Sequence, residues 1–334
     1  MAKGAGKLRE EIISLLKKSS PDPLSGEVIA RQLGISRTAV WKNIHALQEK
    51  GYNITGSPRR GYLLQKIPDL LYPGELGEKL HTKIIAPNPS FIHHYHRVGS
   101  TNNVLKEMAE EGAAEGTVVV AELQETGRGR MGRHWSSPQG KGIYLSLLLR
   151  PPVSPQHTSP LTLLAAAAAC RGISSVLPRL LPGIKWPNDL LIGGRKVCGI
   201  LCEIKAEIDL VHYLVAGIGI NVNMAMEDFP SELRQSATSL LLENEGVVVS
   251  RLAVAAGVLQ HFDELYAIYL EKGTASVLSR WREYDITLGR SIKVQGPGFS
   301  FTGTASELDD NGAIVVESET GERKSFTTGE VIMN

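Results

Sequence analysis

Cysteine is scarce in this chain, and the three cysteines, Cys170, Cys198 and Cys202, each lie in an apolar stretch. So small a number excludes a disulfide framework, and the interval between Cys198 and Cys202 is not that of a paired zinc site. We also find no apolar run long enough to span a bilayer and no signal-peptide core after the lysine-rich N-terminus. These absences predict a cytoplasmic protein without a membrane segment or a metal site.

Net charge is also small, at +1, but the charges are unevenly distributed. Residues 1–66 contain twelve lysines and arginines against five acidic residues, a balance of +7, which leaves −6 for the rest of the chain. A basic segment of this size predicts a polyanion as partner. The length of 334 residues further predicts two or three domains rather than one core.

The basic segment has the pattern of a winged helix-turn-helix. Amphipathic spacing and turn residues predict helices over 7–18, 25–33 and 36–50 and two strands within 52–64. In such a motif the second helix of the pair enters the major groove of DNA, and the wing lies beside the phosphate backbone. We therefore predict a DNA-binding region from Gly26 to His45, with a purely structural helical hairpin as the alternative. The candidate contacts are Ser36, Arg37, Thr38 and Lys42, with Arg59 and Arg60 at the wing.

Two further domains are predicted after this segment. Residues 67–284 alternate between strand-like and helix-like stretches, whereas residues 285–334 contain short alternating strands with glycine turns. The predicted fold class is therefore α+β. It comprises a winged helix-turn-helix (1–66), a central mixed α/β domain (67–284) and a small, SH3-like β-barrel (285–334).

The most informative segment of the central domain extends from Gln124 to Trp135. It contains three arginines and three glycines between two strand-like runs, in the order Thr-Gly-Arg-Gly-Arg-Met-Gly-Arg. Glycine lets a backbone approach a ligand closely, and the planar guanidinium matches phosphate and carboxylate oxygens. The segment, with Gln124, Arg128, Gly129 and Arg130 as candidates, suits a triphosphate, although it is neither a P-loop nor a dinucleotide fingerprint. A solvated basic surface loop is the alternative.

Four other segments place polar groups or glycines in apolar surroundings. Ser100–Asn102 begin a predicted helix and could bind an amide, a ureido group or an anion, or could be a plain helix cap. Lys185–Asp189, Lys-Trp-Pro-Asn-Asp, interrupt a strand-like run, which is costly unless something binds there. Lys196 follows a two-glycine hairpin and offers a charge to a phosphate, or is an ordinary exposed lysine. Gly217–Asn221 lack side-chain bulk on one face, as if a flat ligand lay against it.

Three histidines, His93, His94 and His96, occur close together and invite a metal-site interpretation. A strand displays alternate residues on opposite faces, so only His94 and His96 can act together. We therefore predict a partly buried strand end here and no metal site.

Taken in order, these motifs resemble those of the biotin protein ligases. The shared patterns are Ser-Thr-Asn, Gln-x-x-Gly-Arg-Gly-Arg-x-Gly-Arg-x-Trp, Lys-Trp-Pro-Asn-Asp, Arg-Lys-x-x-Gly-Ile-Leu and Gly-x-Gly-Ile-Asn. With its N-terminal winged helix, the chain resembles the bifunctional form, which is ligase and biotin operon repressor in one chain. The resemblance extends from about Leu8 to the C-terminus and is most specific over 100–221.

The resemblance implies a two-step reaction in the central domain. Biotin and ATP, with Mg²⁺, would give biotinyl-5′-AMP and pyrophosphate, and a lysine of the biotin carboxyl carrier protein of acetyl-CoA carboxylase would then take the biotin. The absence of a Ser/His/Asp or Cys/His set from the sequence agrees with a mechanism without a covalent enzyme intermediate. The resemblance also implies operator DNA as a partner and a homodimer when the adenylate is bound.

Roles for individual residues follow from the resemblance by position. Ser100, Thr101, Asn102 and Gln124 would contact biotin, Arg128, Gly129 and Arg130 would cover the biotin and phosphate region, and Lys196 would bind the carboxylate and the α-phosphate. Trp135, Asn188 and Asn221 would lie near the nucleotide. Lys196, Arg128 and Arg130 are the expected catalytic residues. Met131 occupies a position where some members have another arginine, which removes one phosphate partner.

Two alternatives remain at this stage. One is a ligand-sensing transcription factor that binds a nucleotide-like effector without turnover. The other is a lipoate- or octanoyl-transferring relative, which the Arg-Gly-Arg loop and the added winged helix disfavour.

Overall fold

The computed structural model describes residues 2–57 and 60–333, so the predicted wing contact Arg59 lies outside the described residues. The chain forms two compact units, Met1–Asp69 and Leu70–Asn334. The finer division into domains at 1–66, 67–284 and 285–334 stays a prediction.

The N-terminal unit is a winged helix, as predicted. It contains α1 (Ala2–Ser19), α2 (Gly26–Leu33), α3 (Arg37–Glu49) and the antiparallel strands β1 (Asn53–Ser57) and β2 (Gly61–Lys66). The hydroxyls of Ser25 and Ser36 accept hydrogen bonds from the backbone N–H groups of Val28 (3.2 Å) and Ala39 (3.1 Å), which cap α2 and α3. Gly34, with φ of 65°, ends α2 in the left-handed conformation and makes the tight turn between the two helices possible.

The second unit is built on a seven-stranded sheet. Its strands are β3 (Ile92–Tyr95), β4 (Val118–Ala121), β5 (Gly142–Leu149), β6 (Gly183–Lys185), β7 (Asp189–Ile192), β8 (Arg195–Ala206) and β9 (Val211–Asn221), in the spatial order β3-β4-β5-β9-β8-β7-β6. The helices are α4 (Pro73–Gly77), α5 (Thr101–Glu110), α6 (Ser159–Val176), α7 (Leu240–Glu243), α8 (Arg251–Lys272) and α9 (Thr274–Arg282). Among the strand pairs of this sheet in the described residues, β3–β4 is parallel and the others are antiparallel. The mixed α/β prediction is therefore confirmed.

Alternate side chains of the central strand β5 lie on opposite faces of the sheet and belong to two different hydrophobic clusters. Leu145 and Leu147 belong to the large core that includes α6 and α8, whereas Leu148 belongs to a smaller cluster with Leu105 of α5. Ser146 lies on the same face as Leu148, because alternate residues of a strand share a face. A buried hydroxyl is thus directed towards α5 from an otherwise apolar strand.

The C-terminal residues form the predicted small β-domain. Five antiparallel strands, β10 (Ser291–Gly296), β11 (Phe299–Leu308), β12 (Ile314–Glu317), β13 (Arg323–Phe326) and β14 (Glu330–Met333), are arranged in the order β13-β12-β11-β10-β14. Ile292, Val294 and Val316 share one hydrophobic core with the central sheet. The indole N–H of Trp186 also donates to the carbonyl oxygen of Gly312 at 3.0 Å. This packing fixes the C-terminal strands against the central body.

Two expectations require correction. The stretch 183–192 is not one interrupted strand, because β6 and β7 pair antiparallel on either side of a turn at Trp186–Asn188. Pro187 therefore costs no hydrogen bond between strands. The prediction that this segment is costly unless a ligand binds there was wrong. In addition, the segment Pro155–Val176 is long and apolar enough to cross a membrane, contrary to the sequence expectation, but 67% of it is buried inside the body. A helix buried in the core of a folded domain is equally long and apolar, so this segment is described as a core helix.

Candidate active site

All the predicted ligand-binding residues of the central domain line one pocket with a volume of about 520 Å³. They are Ser100, Thr101, Asn102, Gln124, Arg128, Gly129, Arg130, Trp135, Asn188, Lys196 and Asn221. The segment Gly329–Met333 of the C-terminal strands completes the wall. Residues from three regions that are distant in sequence thus surround one cavity.

The floor of the pocket is the glycine-rich stretch of β8 and β9. A β-carbon at Gly217 would lie 2.3 Å from the side-chain oxygen of Asn102, and one at Gly219 would lie 2.6 Å from Nε1 of Trp135. Glycine is required because any side chain would collide with these groups. The flat group lying against this face is the indole of Trp135, where the sequence suggested a ligand.

The start of α5 forms one end of the pocket. Ser100 occupies the N-cap position, but its side chain makes no capping hydrogen bond and is only 5% exposed. The backbone N–H and the hydroxyl of Thr101 both donate to Oε1 of Gln124, at 2.9 and 3.1 Å. Gln124 in turn donates from Nε2 to the hydroxyl of Ser137 at 3.0 Å. The cap explanation for the Ser-Thr-Asn motif is thus not supported at Ser100, and Gln124 couples the motif to the arginine loop.

Asn102 is held by groups on the sheet below it. Its Oδ1 accepts from the hydroxyl of Ser146 at 2.6 Å, and its Nδ2 donates to Glu203 at 2.7 Å and to the carbonyl oxygen of Leu201 at 3.2 Å. Burial opposes the ionisation of Glu203, but hydrogen bonds from Lys106 and Asn102 outweigh it and lower the pKa of this carboxyl. An ionised Glu203 thus fixes the amide of Asn102.

Each arginine of the loop has an acceptor on a different element. Arg128 donates to Asn103 of α5 and lies 3.9 Å from Glu203 of β8. Arg130 donates to Oδ1 of Asn188 at 3.0 Å and to the hydroxyl of Thr328 at 2.8 Å. The loop therefore bridges the central sheet and the C-terminal strands.

Arg133 and Met131 of the loop differ in what they contact. Arg133 forms a two-point ion pair with Glu330, with distances of 2.8 and 2.5 Å, and this pair raises the pKa of Arg133. Met131 is 62% exposed and adopts φ of 56°, in the left-handed region that favours glycine. Its side chain offers no charge to the pocket.

Lys196 lies on β8 at the other side of the cavity. Its Nζ is 2.6 Å from a carboxylate oxygen of Asp189 and 5.5 Å from the centre of the Trp135 ring. Nearby, burial lowers the pKa of Lys185. Asn188 and Asn221 donate to the carbonyl oxygens of Ile200 and Thr238, at 2.9 and 3.0 Å. This side of the pocket thus has a lysine–aspartate ion pair, a second lysine and two firmly held amides.

The histidine segment lies outside this pocket. Nε2 of His94 is 3.1 Å from Oε1 of Glu122, and Nη1 of Arg251 is 2.7 Å from Oε2 of the same carboxylate. Glu122 also accepts from the backbone N–H of Leu71 at 3.2 Å and is 1% exposed. Burial opposes its ionisation, but the contacts of His94 and Arg251 prevail and lower the pKa of Glu122. This buried ion pair anchors the chain two residues before Gln124.

The predicted DNA contacts lie on the surface of the N-terminal unit. Arg37, Thr38 and Lys42 are exposed along α3, and Arg60 is exposed at the end of the wing. Ser36 is also exposed, but its hydroxyl accepts the capping bond from Ala39. Its first role is therefore to begin the helix.

Three family descriptions match successive parts of the chain. They are an HTH domain (residues 8–63), the biotin/lipoate A/B protein ligase family (95–221) and the biotin protein ligase C-terminal domain (287–333). The bifunctional ligase/repressor BirA of Bacillus subtilis is 39% identical over 321 residues, which cover 96% of this chain and 97% of the relative. The chain belongs to the bifunctional biotin ligase/repressor family.

Other members agree with this assignment. The BirA protein of Escherichia coli is 30% identical over 310 residues and covers 92% of each chain. Among solved structures, the biotin protein ligase from Aquifex aeolicus in complex with biotin and ATP superposes with a TM-score of 0.61 at 28% identity. It covers 73% of this chain and 98% of its own. The central and C-terminal architecture is therefore shared with a ligase of known structure.

Sequence reasoning missed four residues that shape the site of this family member. Ser146 and Glu203 fix Asn102, while Thr328 and Glu330 hold the arginine loop. Ser146 had a signal, because it is a small polar side chain in the otherwise largely apolar run Ile143–Leu149. The other three lie in ordinary polar surroundings and could be found only from their long-range contacts.

We expect Glu122→Gln to lower the free energy of unfolding at pH 7 by about 3–5 kcal/mol, because it leaves the buried Arg251 without its carboxylate. The pKa of Glu122 is below the ordinary glutamate value of 4.5, so its contribution is complete above that pH and is lost as pH falls through the folded-state value. Urea denaturation at pH 7 and pH 4 measures both effects, with the exposed Glu319→Gln as control. Equal free energies of unfolding for Glu122→Gln and Glu319→Gln at pH 7 would show that the buried ion pair does not stabilise the fold.

Proposed function

We propose that this chain is an ATP-dependent biotin ligase that joins biotin to a lysine of the biotin carboxyl carrier protein of acetyl-CoA carboxylase. We propose further that it is a biotin-responsive repressor of biotin biosynthesis genes. The observation that carries the proposal is the convergence of the Ser-Thr-Asn, arginine-loop and Lys196 motifs in one pocket. The relatives that match along the length of the chain are named for both activities.

The first step joins the biotin carboxylate to the α-phosphorus of ATP. A carboxylate oxygen attacks phosphorus, the bond to the pyrophosphate oxygen breaks, and biotinyl-5′-AMP and pyrophosphate form. Two anions must approach each other, so the enzyme has to reduce their repulsion. Lys196 and the arginine loop place positive charge on two sides of the cavity where this approach would occur. Mg²⁺ bound to ATP would neutralise charge on the departing pyrophosphate.

The second step transfers biotin to the carrier protein. The amine of the acceptor lysine attacks the carbonyl carbon of the mixed anhydride, AMP leaves with the bridging oxygen, and an amide remains. Because the anhydride is already activated, no side chain of the ligase has to act as a nucleophile. The pocket contributes by position and by excluding water from the anhydride.

The end of the pocket at α5 suits biotin. The hydroxyl of Ser100 lacks a capping bond, and Thr101 and Gln124 are already coupled, so these groups can meet the ureido ring without rearranging the helix. Asn102 has protein partners on both sides of its amide. We therefore propose that Asn102 shapes the biotin site from a fixed position.

The opposite end suits the nucleotide. Trp135 offers an aromatic face beside Lys196, and Asn188 and Asn221 hold two strand ends at the cavity. Arg130 donates to Asn188 and to Thr328, so a phosphate that binds Arg130 competes with these two acceptors. Arg128 and Arg130 remain the proposed phosphate partners in the loop.

The repressor function requires ligand-dependent self-association. Two winged helices in a homodimer would match a two-fold operator. The hairpin between β8 and β9 exposes apolar side chains, with Ile204, Ile208 and Leu210 exposed by 45, 92 and 54%. Exposed apolar side chains on one hairpin support self-association of the second unit.

Lys196→Met tests the ligase proposal against a ligand sensor without turnover. In the wild-type chain we expect pyrophosphate release that requires both biotin and ATP, and lipoate should not replace biotin. We expect the variant to lose about 10²–10³-fold in this rate, because one charge that stabilises the transition state is removed. Lys205→Met on the same strand is the control, since Lys205 pairs with Glu110 on the surface. No pyrophosphate release by the wild-type chain would favour the sensor.

Ser146→Ala tests the fixed position of Asn102. Loss of the buried hydroxyl removes the hydrogen bond to Oδ1 of Asn102 and the contact with the hydroxyl of Thr101. We therefore expect the KM for biotin to rise about tenfold, the equivalent of one lost hydrogen bond, while the KM for ATP stays within about twofold. Steady-state pyrophosphate release measures both constants. Ser306→Ala in the C-terminal strands is the control. An equal rise in both KM values would argue against a specific effect on the biotin end.

A gel shift tests the repressor proposal. With the full chain and the promoter of the biotin biosynthesis genes, we expect biotin and ATP together to lower the Kd for DNA by about 5–150-fold, the usual range of coupling between two sites. Arg130→Ala should reduce this effect of ligands without changing the weak binding seen in their absence. A Kd that is the same with and without both ligands would contradict a biotin-responsive repressor.

A further inference from the structure

The exposed side of α3 carries a large aromatic residue. Trp41 is 53% exposed, whereas Val40, Ile44 and Leu47 of the same helix are buried in the core of the N-terminal unit. A tryptophan of this exposure gains little from the core, so its side chain is available to a partner. Basic and polar residues surround it on the helix surface.

Trp41 lies in the middle of a stripe that faces one groove. Arg37, Trp41 and His45 are spaced by four residues, so their side chains follow one another along the same side of α3. With Gln48, they line a groove of about 780 Å³ whose other side is formed by the β-hairpin, including Tyr62, and by the start of α2, including Glu27. Gln48 closes one end, because its Nε2 donates to the carbonyl oxygen of Ile54 at 2.7 Å.

The orientation of the indole is restricted by its neighbour. The ring centres of Trp41 and His45 are 4.3 Å apart at an interplanar angle of 65°, an edge-to-face contact. The indole therefore presents an apolar surface on the same side of α3 as Arg37, in the same groove. An apolar surface and a planar donor on one side of the helix match two different features of base edges, the thymine methyl group and the acceptors of guanine.

We propose that Trp41 determines part of the DNA sequence preference by apolar contact with the 5-methyl group of a thymine in the major groove, one in each half-site. The proposal rests on the proposed function of the N-terminal unit in operator binding. Charge complementarity supports DNA as the occupant, because residues 1–66 carry a balance of +7. Lys42, exposed on the next position of α3, suits a phosphate instead.

Replacement of thymine by deoxyuridine removes only the methyl group and tests this contact. Duplexes would first be selected from a random pool with the full wild-type chain, biotin and ATP. The Kd of the selected duplex would then be measured with deoxyuridine at each thymine position in turn. We expect one position per half-site at which the wild-type chain loses about fourfold in affinity, or about fifteenfold when both half-sites are changed, as for one buried methyl group each.

Two variants with similar helix propensity separate contact from helix structure. Trp41→Leu keeps an apolar side chain and should retain part of the preference for thymine, whereas Trp41→Gln should bind thymine and deoxyuridine duplexes equally. Lys42→Ala is the control: it should weaken both duplexes alike, reduce the salt dependence by about one counterion, and keep the preference. Circular dichroism and thermal unfolding of each full-chain variant report whether the N-terminal unit is folded, because ligase activity depends on the second unit alone.

The outcomes distinguish this inference from the proposed function. A wild-type chain without any thymine preference, or a Trp41→Gln variant that keeps the wild-type preference, would overturn the role of Trp41 while leaving operator binding intact. Failure of the wild-type chain to select any duplex would instead overturn operator binding itself, and the role of Trp41 with it.

Discussion

The lack of side chains on one face of β9 is the constraint on which the site depends. Gly217 leaves room for the amide of Asn102, and Gly219 leaves room for the indole of Trp135. With those two groups against the sheet, the start of α5 and the end of the arginine loop meet over the same floor. The buried hydroxyl of Ser146 then fixes the amide from the neighbouring strand. The floor of the pocket thus positions Asn102 and Trp135 independently of the cationic groups.

The cationic groups of the pocket are restrained rather than free. Arg128, Arg130 and Arg133 have acceptors on α5, on the turn before β7 and on the C-terminal strands, respectively. A triphosphate bound by these arginines, as we propose, would have to offer them better geometry than the protein acceptors do, which favours ligands with several anionic oxygens in fixed positions. Because Thr328 and Glu330 are among the acceptors, the small C-terminal sheet takes part in shaping the active-site loop.

Much of this organisation could be predicted from the sequence, for local reasons. The helices over 25–33 and 36–50, the Gly193-Gly194 hairpin and the arginine loop depend on residues adjacent in sequence. The motifs also identified the pocket residues as a set, since their order resembles one family. The roles of the individual residues in binding and catalysis stay predictions.

What could not be predicted depends on long-range contacts. Ser146 meets Asn102 across 44 residues, and Arg133 meets Glu330 across 197. The spacing of apolar residues along the chain does not indicate which distant residues contact each other. The error at Lys185–Asp189 has a related cause, because one strand and two short antiparallel strands around a turn have the same apolar pattern until their pairing is known.

We propose that the pocket joins biotin to ATP through the biotin carboxylate. Biotin labelled with ¹⁸O in its carboxylate tests this directly, with mass spectrometry of the AMP released after transfer to the carrier protein. The bridging oxygen of the anhydride comes from biotin and leaves with AMP, so the account predicts one ¹⁸O atom in AMP for the fully labelled carboxylate. Unlabelled AMP would contradict attack by the carboxylate on the α-phosphorus.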